Sequence, residues 1–211
     1  MNTIVVIAKA PVPGRVKTRL SPALSPQSAA QVAAAALADT LDAVRGVAAA
    51  RRVLALAGAL TALPPGFEVV AQRGDGLGAR LATAFADAGP GPVLLVGMDT
   101  PQLTAAVLGR ALLRLAYSPA VIGPATDGGW WALGLRDVRH AAVLSSVPMS
   151  RPDTAELTVA ALQQRGVPVA PLPVLRDVDT IADAVSVAAA APGTRFARTL
   201  AGVLALETET A

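Results

Sequence analysis

The sequence predicts an α/β fold, with a mostly parallel sheet covered by helices on both faces. Three observations lead there. Short, unbroken apolar runs alternate with longer helical patterns along all 211 residues. The runs lack the polar alternation of a half-exposed strand, so both faces of the sheet must be covered. Loops bearing glycine or charge follow the runs directly, at the strand ends where open sheets of this kind take ligands.

Thr3 to Ala8 has the length and β-branched content of a buried strand. Ser25 as N-cap and Pro26 at the first helical position open an alanine-rich helix to about Val44. Strands follow over Arg52–Ala57 and Phe67–Ala71, the second after the break at Pro64-Pro65-Gly66. The glycine loop 72–78 leads into a helix over Ala79–Ala88. Pro92–Gly97 is the clearest buried strand. A helix spans Leu103–Ala116, and strands 120–124 and 131–135 flank the turn 126–129. Asp153 or Thr154 caps a helix to Gln164, with Gly166 just past its end. The prolines in 167–172 place that strand at a sheet edge. Helices over 180–190 and 195–206 close the chain, and its last few residues are expected to fray. With no repeat and no long linker, residues 1–211 read as one domain.

Composition narrows the function. The mean hydropathy is +0.52, yet no apolar run reaches the roughly 20 residues of a spanning helix. Neither a membrane partner nor an export signal is expected, and a cytoplasmic location is. The absence of cysteine excludes disulfides and thiol catalysis. The net charge is only +3, and the arginines lie scattered without basic tracts, which argues against nucleic acid as a partner. One histidine and no cysteine exclude an ordinary zinc site, so any metal should be hard and oxygen-ligated: Mg²⁺, or Mn²⁺. His140 has no evident partner, and no nucleophile elbow supports a hydrolase triad.

The residues able to do chemistry fall into four groups. Both lysines of the chain, Lys9 and Lys17, lie with Arg15 and Arg19 in one loop after the first strand, where Pro11, Pro13 and Gly14 shape the turn. Lysine kept here, in a chain that otherwise uses arginine, suits a compact charge at a phosphate; the plain alternative is a solvated loop. Asp99 follows the most hydrophobic strand and suits a cation bridging phosphates, or else it or Thr100 caps the next helix. Asp177-Val178-Asp179 places two carboxylates on one side of an extended segment, where a second metal ligand is one reading and a cap on the next helix by Asp179 or Thr180 the other. Asp127-Gly128-Gly129-Trp130-Trp131 joins a tight turn to both tryptophans, whose side chains alternation sends to opposite faces.

These motifs in this order resemble the nucleotide-diphospho-sugar transferase (GT-A) superfamily, with its three-layer Rossmann-like fold, and within it a bacterial glycosyltransferase-like family of unknown function. The resemblance is carried by Lys9–Leu20, Gly74–Gly78, Gly97–Pro101, Asp127–Trp131 and Asp177–Thr180. The Lys-Thr-Arg-Leu-Ser-Pro and Asp-Val-Asp-Thr runs are similar to those of 2-phospho-L-lactate guanylyltransferases. The resemblance implies that Lys17 and Arg19 hold a triphosphate and stabilise the leaving pyrophosphate. It further implies that Ala8, Lys9, Pro11, Gly14, Arg15, Asp75, Gly76 and Gly78 lie along the nucleotide. Asp99 and Asp179 would hold the metal, with Asp177 the alternative second ligand. Asp127, Gly128, Gly129 and Trp130 would meet the acceptor, Asp127 being a candidate base. The pattern differs from the guanylyltransferases at this acceptor side.

The implied partners are a nucleoside triphosphate or nucleotide sugar and a small-molecule acceptor; a homodimer is compatible. The first reading is a Mg²⁺-dependent nucleotidyltransferase that joins a nucleoside triphosphate to a small phosphorylated acceptor. The second is a glycosyltransferase using a nucleotide sugar, and the third a nucleotide-binding protein without catalysis.

Overall fold

The alternation of strands and helices produces a seven-stranded sheet in the order β3-β2-β1-β4-β6-β5-β7. The strands are β1 (Asn2–Lys9), β2 (Ala50–Ala57), β3 (Glu68–Ala71), β4 (Val93–Gly97), β5 (Ala120–Pro124), β6 (Trp130–Leu135) and β7 (Val169–Pro171). The computed structural model describes residues 2–48 and 50–209. Six of the strands run parallel and β6 alone is reversed, between β4 and β5. The proline-bearing β7 is an edge strand, the position that its missing N–H groups require.

The helices are α1 (Pro26–Arg45), α2 (Gly76–Asp87), α3 (Ala105–Ala116), α4 (Thr154–Gln163), α5 (Ile181–Ala190) and α6 (Arg195–Glu209). Ser25 caps α1 as its sequence requires, accepting from Ser28 N–H at 3.2 Å. Helix α2 begins at Gly76, three residues before the expected Ala79, so much of the glycine loop is helix. Helix α6 runs past the expected stop at Leu206 to Glu209; the expected fraying beyond it falls outside the described residues. A 3-10 helix over Val138–Ser146, where the sequence predicts no element, packs on α2.

Two apolar layers sandwich the sheet. On one side Ile4, Val6, Leu94 and Val96 meet α1 and α3. On the other Val5, Val93 and Leu95 meet α2, the 3-10 helix and α4. Helix α1 serves two layers: Ala33, Leu37 and Leu41 face the sheet, while Ala29, Val32 and Ala36 face α5 and α6. Its alanine content follows, because small side chains let neighbours approach on both sides. No described helix is long and apolar enough to cross a membrane.

Strand polarity sets where the site lies. Ile7 pairs with Gly97, and Val96 with Ala132. The carboxyl ends of β1 and β4 therefore meet the amino end of the reversed β6 at one sheet edge.

Candidate active site

A cleft of about 700 Å³ opens at that edge, within the usual range for small-ligand sites. Lys9, Gly97, Met98 and Asp99 form its floor, and Asp127, Trp130, Asp177 and Asp179 its far side. A smaller recess of about 260 Å³ lies under the basic loop and shares Lys9, Arg19, Met98, Asp99 and Asp179 with the cleft. All four loop cations line this recess.

The loop is shaped by its backbone. Gly14 takes φ +73° in open space, so it serves the turn. Leu20, fully buried, anchors the 3-10 turn Thr18–Leu20 into the layer between α1 and α6. The two motif cations then differ. The Lys17 ammonium lies 2.7 Å from the Asp99 carboxylate, with its side chain only 10% exposed, and it also donates to the Val178 carbonyl. Arg19, 72% exposed, pairs with Asp179.

Asp99 and the 177–179 segment converge through the backbone. Val178 is buried among α1, α5 and α6, and its N–H donates to the Asp99 carbonyl at 2.8 Å. Burying Val178 turns Asp177 and Asp179 toward the cleft. Of the capping candidates, Asp99, Thr100 and Asp179 do not cap, and Thr180 does. Thr104 caps α3, accepting from Val107 N–H at 3.2 Å, and Thr180 caps α5 in a reciprocal box with Asp183. Asp99 and Asp179 are thus free of helix-capping duty.

The Asp127 turn is held rigidly. The Asp127 carboxylate accepts from Gly129 N–H at 2.8 Å, and the Gly128 carbonyl accepts from Ala155 N–H at 2.9 Å. A Cβ on Gly128 would fall 1.8 Å from the Pro152 carbonyl oxygen, at φ +87°. This turn and the segment before α4 therefore form one wall. Ser150, in that segment, has φ +60° and lines the cleft. The tryptophans separate as alternation requires. Trp131 is buried and donates to the Pro173 carbonyl at 2.9 Å, while Trp130 faces the opposite layer and borders the cleft.

Other expected residues stand elsewhere. Pro11, Gly14, Asp75, Gly76, Gly78 and Gly128 line neither cavity, and Leu77, Arg80 and Leu81 represent α2 in the cleft. Gly78 has a packing reason instead: its Cβ would meet the Leu144 carbonyl oxygen of the 3-10 helix at 2.1 Å. Sequence reasoning missed Gln72, whose amide donates to the Ala8 and Ala55 carbonyls at 2.7 and 2.9 Å and ties two strand ends. It also missed Arg80 and Arg151, which border the cleft. The position of Gln72 directly after β3 was an available signal; Arg151 belongs to no motif. His140 lies half-buried on the 3-10 helix, away from both cavities.

The charges bear on a metal. Among the described residues, no three carboxylate or imidazole side chains already form a metal-binding group. Burial, and next to it the Asp127 charge, push the Asp177 carboxyl up to about 6, with Asp99 adding to the rise. A hard divalent cation suits such mutually repelling carboxylates, provided that substrate phosphates complete its shell. The residues present fit the group.

The fold has known counterparts. A candidate nucleotide-diphospho-sugar transferase from Desulfovibrio desulfuricans G20 superposes with a TM-score of 0.83 at 28% identity, over 99% of this chain and 95% of that one. CMP:2-keto-3-deoxy-manno-octonic acid synthetase, solved with CTP, gives 0.58 at 13% identity over 90% and 97%. Rv0371C of Mycobacterium tuberculosis H37Rv, solved with manganese, gives 0.58 at 24% over 88% and 96%. The architecture is that of the GT-A-like, nucleotide-dependent transferases. No curated protein matches the sequence. The model of the bacterial family DUF2064, described as uncharacterized proteins conserved in bacteria, matches residues 30–151, more than half of the chain, and the chain belongs to that family.

Proposed function

We propose that this protein is a divalent-cation-dependent transferase that performs nucleotidyl transfer: a small phosphorylated acceptor attacks the α-phosphate of a nucleoside triphosphate, and pyrophosphate leaves. The recess carries this reading. Four cations against two carboxylates, Asp99 and Asp179, line about 260 Å³ that opens on the main cleft, and this excess of positive charge matches a polyphosphate tail better than a neutral sugar. The synthetase solved with CTP shares the fold and supports a nucleotide in the cleft.

In this reading Lys9, Arg15 and Arg19 receive the tail and offset the charge that gathers on the departing pyrophosphate. Asp99 would hold the metal, and Asp177 is the better second ligand, because it lines the cleft and shares the field of Asp99. A bound divalent cation would supply positive charge there and offset part of the charge of the substrate phosphates. Asp127 and Trp130 bound the acceptor side, and the fixed wall that they form with Gly129 and residues 149–152 orients what enters. A cytoplasmic location belongs to the same reading.

Glycosyl transfer is the second reading. It is favoured by Asp127, a carboxylate on the cleft wall able to accept a proton from an acceptor hydroxyl, and by the description of the Desulfovibrio protein. The purified protein should be incubated with each nucleoside triphosphate, Mg²⁺ and a panel of sugar phosphates and phosphorylated hydroxy acids. Pyrophosphate release dependent on one pair is expected. Release of nucleoside diphosphate from a nucleotide sugar, with no pyrophosphate from any pair, reverses the two readings. Nucleotide binding without either product leaves the non-catalytic one.

A further inference from the structure

Lys17 is placed differently from a cation presented to a phosphate. Its side chain is 10% exposed, its ammonium lies 2.7 Å from the Asp99 carboxylate, and it donates to the Val178 carbonyl. Its backbone has φ +50°, a conformation costly for a residue with a Cβ and kept only where the surroundings impose it. The Arg19–Asp179 pair, by contrast, lies largely in solvent, where such pairs are weak. An enclosed ammonium is screened little by salt, so it neutralises Asp99 effectively.

We infer that Lys17 is a positioning residue for Asp99: in the nucleotide-free protein it competes with divalent cations for that carboxylate, and a metal–triphosphate complex displaces it toward the recess. The inference rests on the metal site proposed above. Charge is matched at both stages. Before binding, carboxylate faces ammonium; afterwards carboxylate faces metal and ammonium faces phosphate. Metal alone must break the pair with no anion to receive the ammonium, so metal and triphosphate each favour the other's binding. Lysine suits the exchange because its point charge on a flexible stem swings between partners, whereas the arginine fork grips a carboxylate in two places. This gives a reason for lysine at position 17 in a chain with eighteen Lys and Arg together and only two lysines.

Two lysines also make the test tractable. The full chain, labelled with ¹³Cε-lysine, should give two resonances, and the one absent from the Lys17→Gln spectrum is Lys17. Glutamine keeps an N–H donor for the Val178 carbonyl and removes the charge. Mn²⁺ binding, read by electron paramagnetic resonance, is compared for the native chain, Lys17→Gln and Asp99→Asn, with and without inorganic tripolyphosphate. Lys17→Gln should bind Mn²⁺ alone roughly fivefold more tightly, as removal of a competing ion pair predicts. Tripolyphosphate should tighten Mn²⁺ binding more in the native chain than in Lys17→Gln. The Lys17 resonance should move when Mg²⁺ and tripolyphosphate are added together. If Asp99→Asn loses Mn²⁺ but Lys17→Gln gains nothing, the exchange is overturned while the metal site stands. If the native chain binds no Mn²⁺ in any arm, or Asp99→Asn binds it equally well, the metal site falls and the exchange with it. Should Lys17→Gln fail to fold by circular dichroism, a lysine spectrum of the native chain in which neither resonance moves overturns the exchange.

Discussion

Asp99 and Asp177 share one electrostatic neighbourhood but make opposite demands on the fold. Asp99→Asn should keep the native fold by circular dichroism and abolish metal-dependent turnover; retained turnover would sink the proposed ligand. Asp177 is a half-buried acid raised to about 6, above its ordinary 3.8. Between those values the folded protein binds more protons than the unfolded chain, so this group's contribution to stability falls as pH rises through the window. Its ionised form is a standing cost above pH 6. Asp177→Asn should therefore raise the thermal midpoint at pH 7.5 more than at pH 4.5, by a few degrees at about 2–4 °C per kcal/mol. An equal change at both pH values would refute the burial argument. Asp99 was visible in the sequence as punctuation after a strand, and Asp177 as one of two carboxylates on an extended segment. Their convergence was not, because it depends on Val178 N–H reaching the Asp99 carbonyl, a contact between residues 79 apart.

Helix ends decide much of the local order, and one of them is closed from a distance. The Asp39 carboxylate, on α1, accepts from the Arg195 and Phe196 N–H groups at 3.1 and 2.8 Å, capping α6 across the interface. Asp39→Ala should cost about 1 kcal/mol, seen as a lowered thermal midpoint with the far-ultraviolet spectrum retained; an unchanged midpoint would show that water replaces the cap. The local caps Ser25 and Thr180 are readable from sequence, since their partners lie three residues on. The Asp39 cap and the 3-10 helix at 138–146 are not, because packing rather than periodicity imposes them. Glycine 78 is the plainest case. Its place in a glycine-rich loop suggests a ligand, whereas the Leu144 carbonyl sets its size.

At the scale of the molecule, helix α1 joins the sheet to the α5–α6 layer, and Phe196, fully buried, fills that outer layer. Phe196→Ala should destabilise by about 3–5 kcal/mol. Because Val178 belongs to the same layer, the loss should reach the cleft as well, weakening Mn²⁺ binding; a large stability loss with unchanged Mn²⁺ affinity would show that the 177–179 segment is held independently. The fold class was legible from the alternation of apolar runs. The reversal of β6 was not, since its run looks like the others and only the short 125–129 turn betrays it. That reversal divides the molecule's labour. The β1–β4 half carries the basic loop and Asp99, while the β5–β6 hairpin brings Asp127 and Trp130 to the same edge from the opposite direction. Substrate choice can thus change by rewriting one hairpin tip and the segment braced against it, leaving every register of the phosphate-bearing half untouched, so that relatives of this chain can share one chemistry while diverging in the molecule they modify.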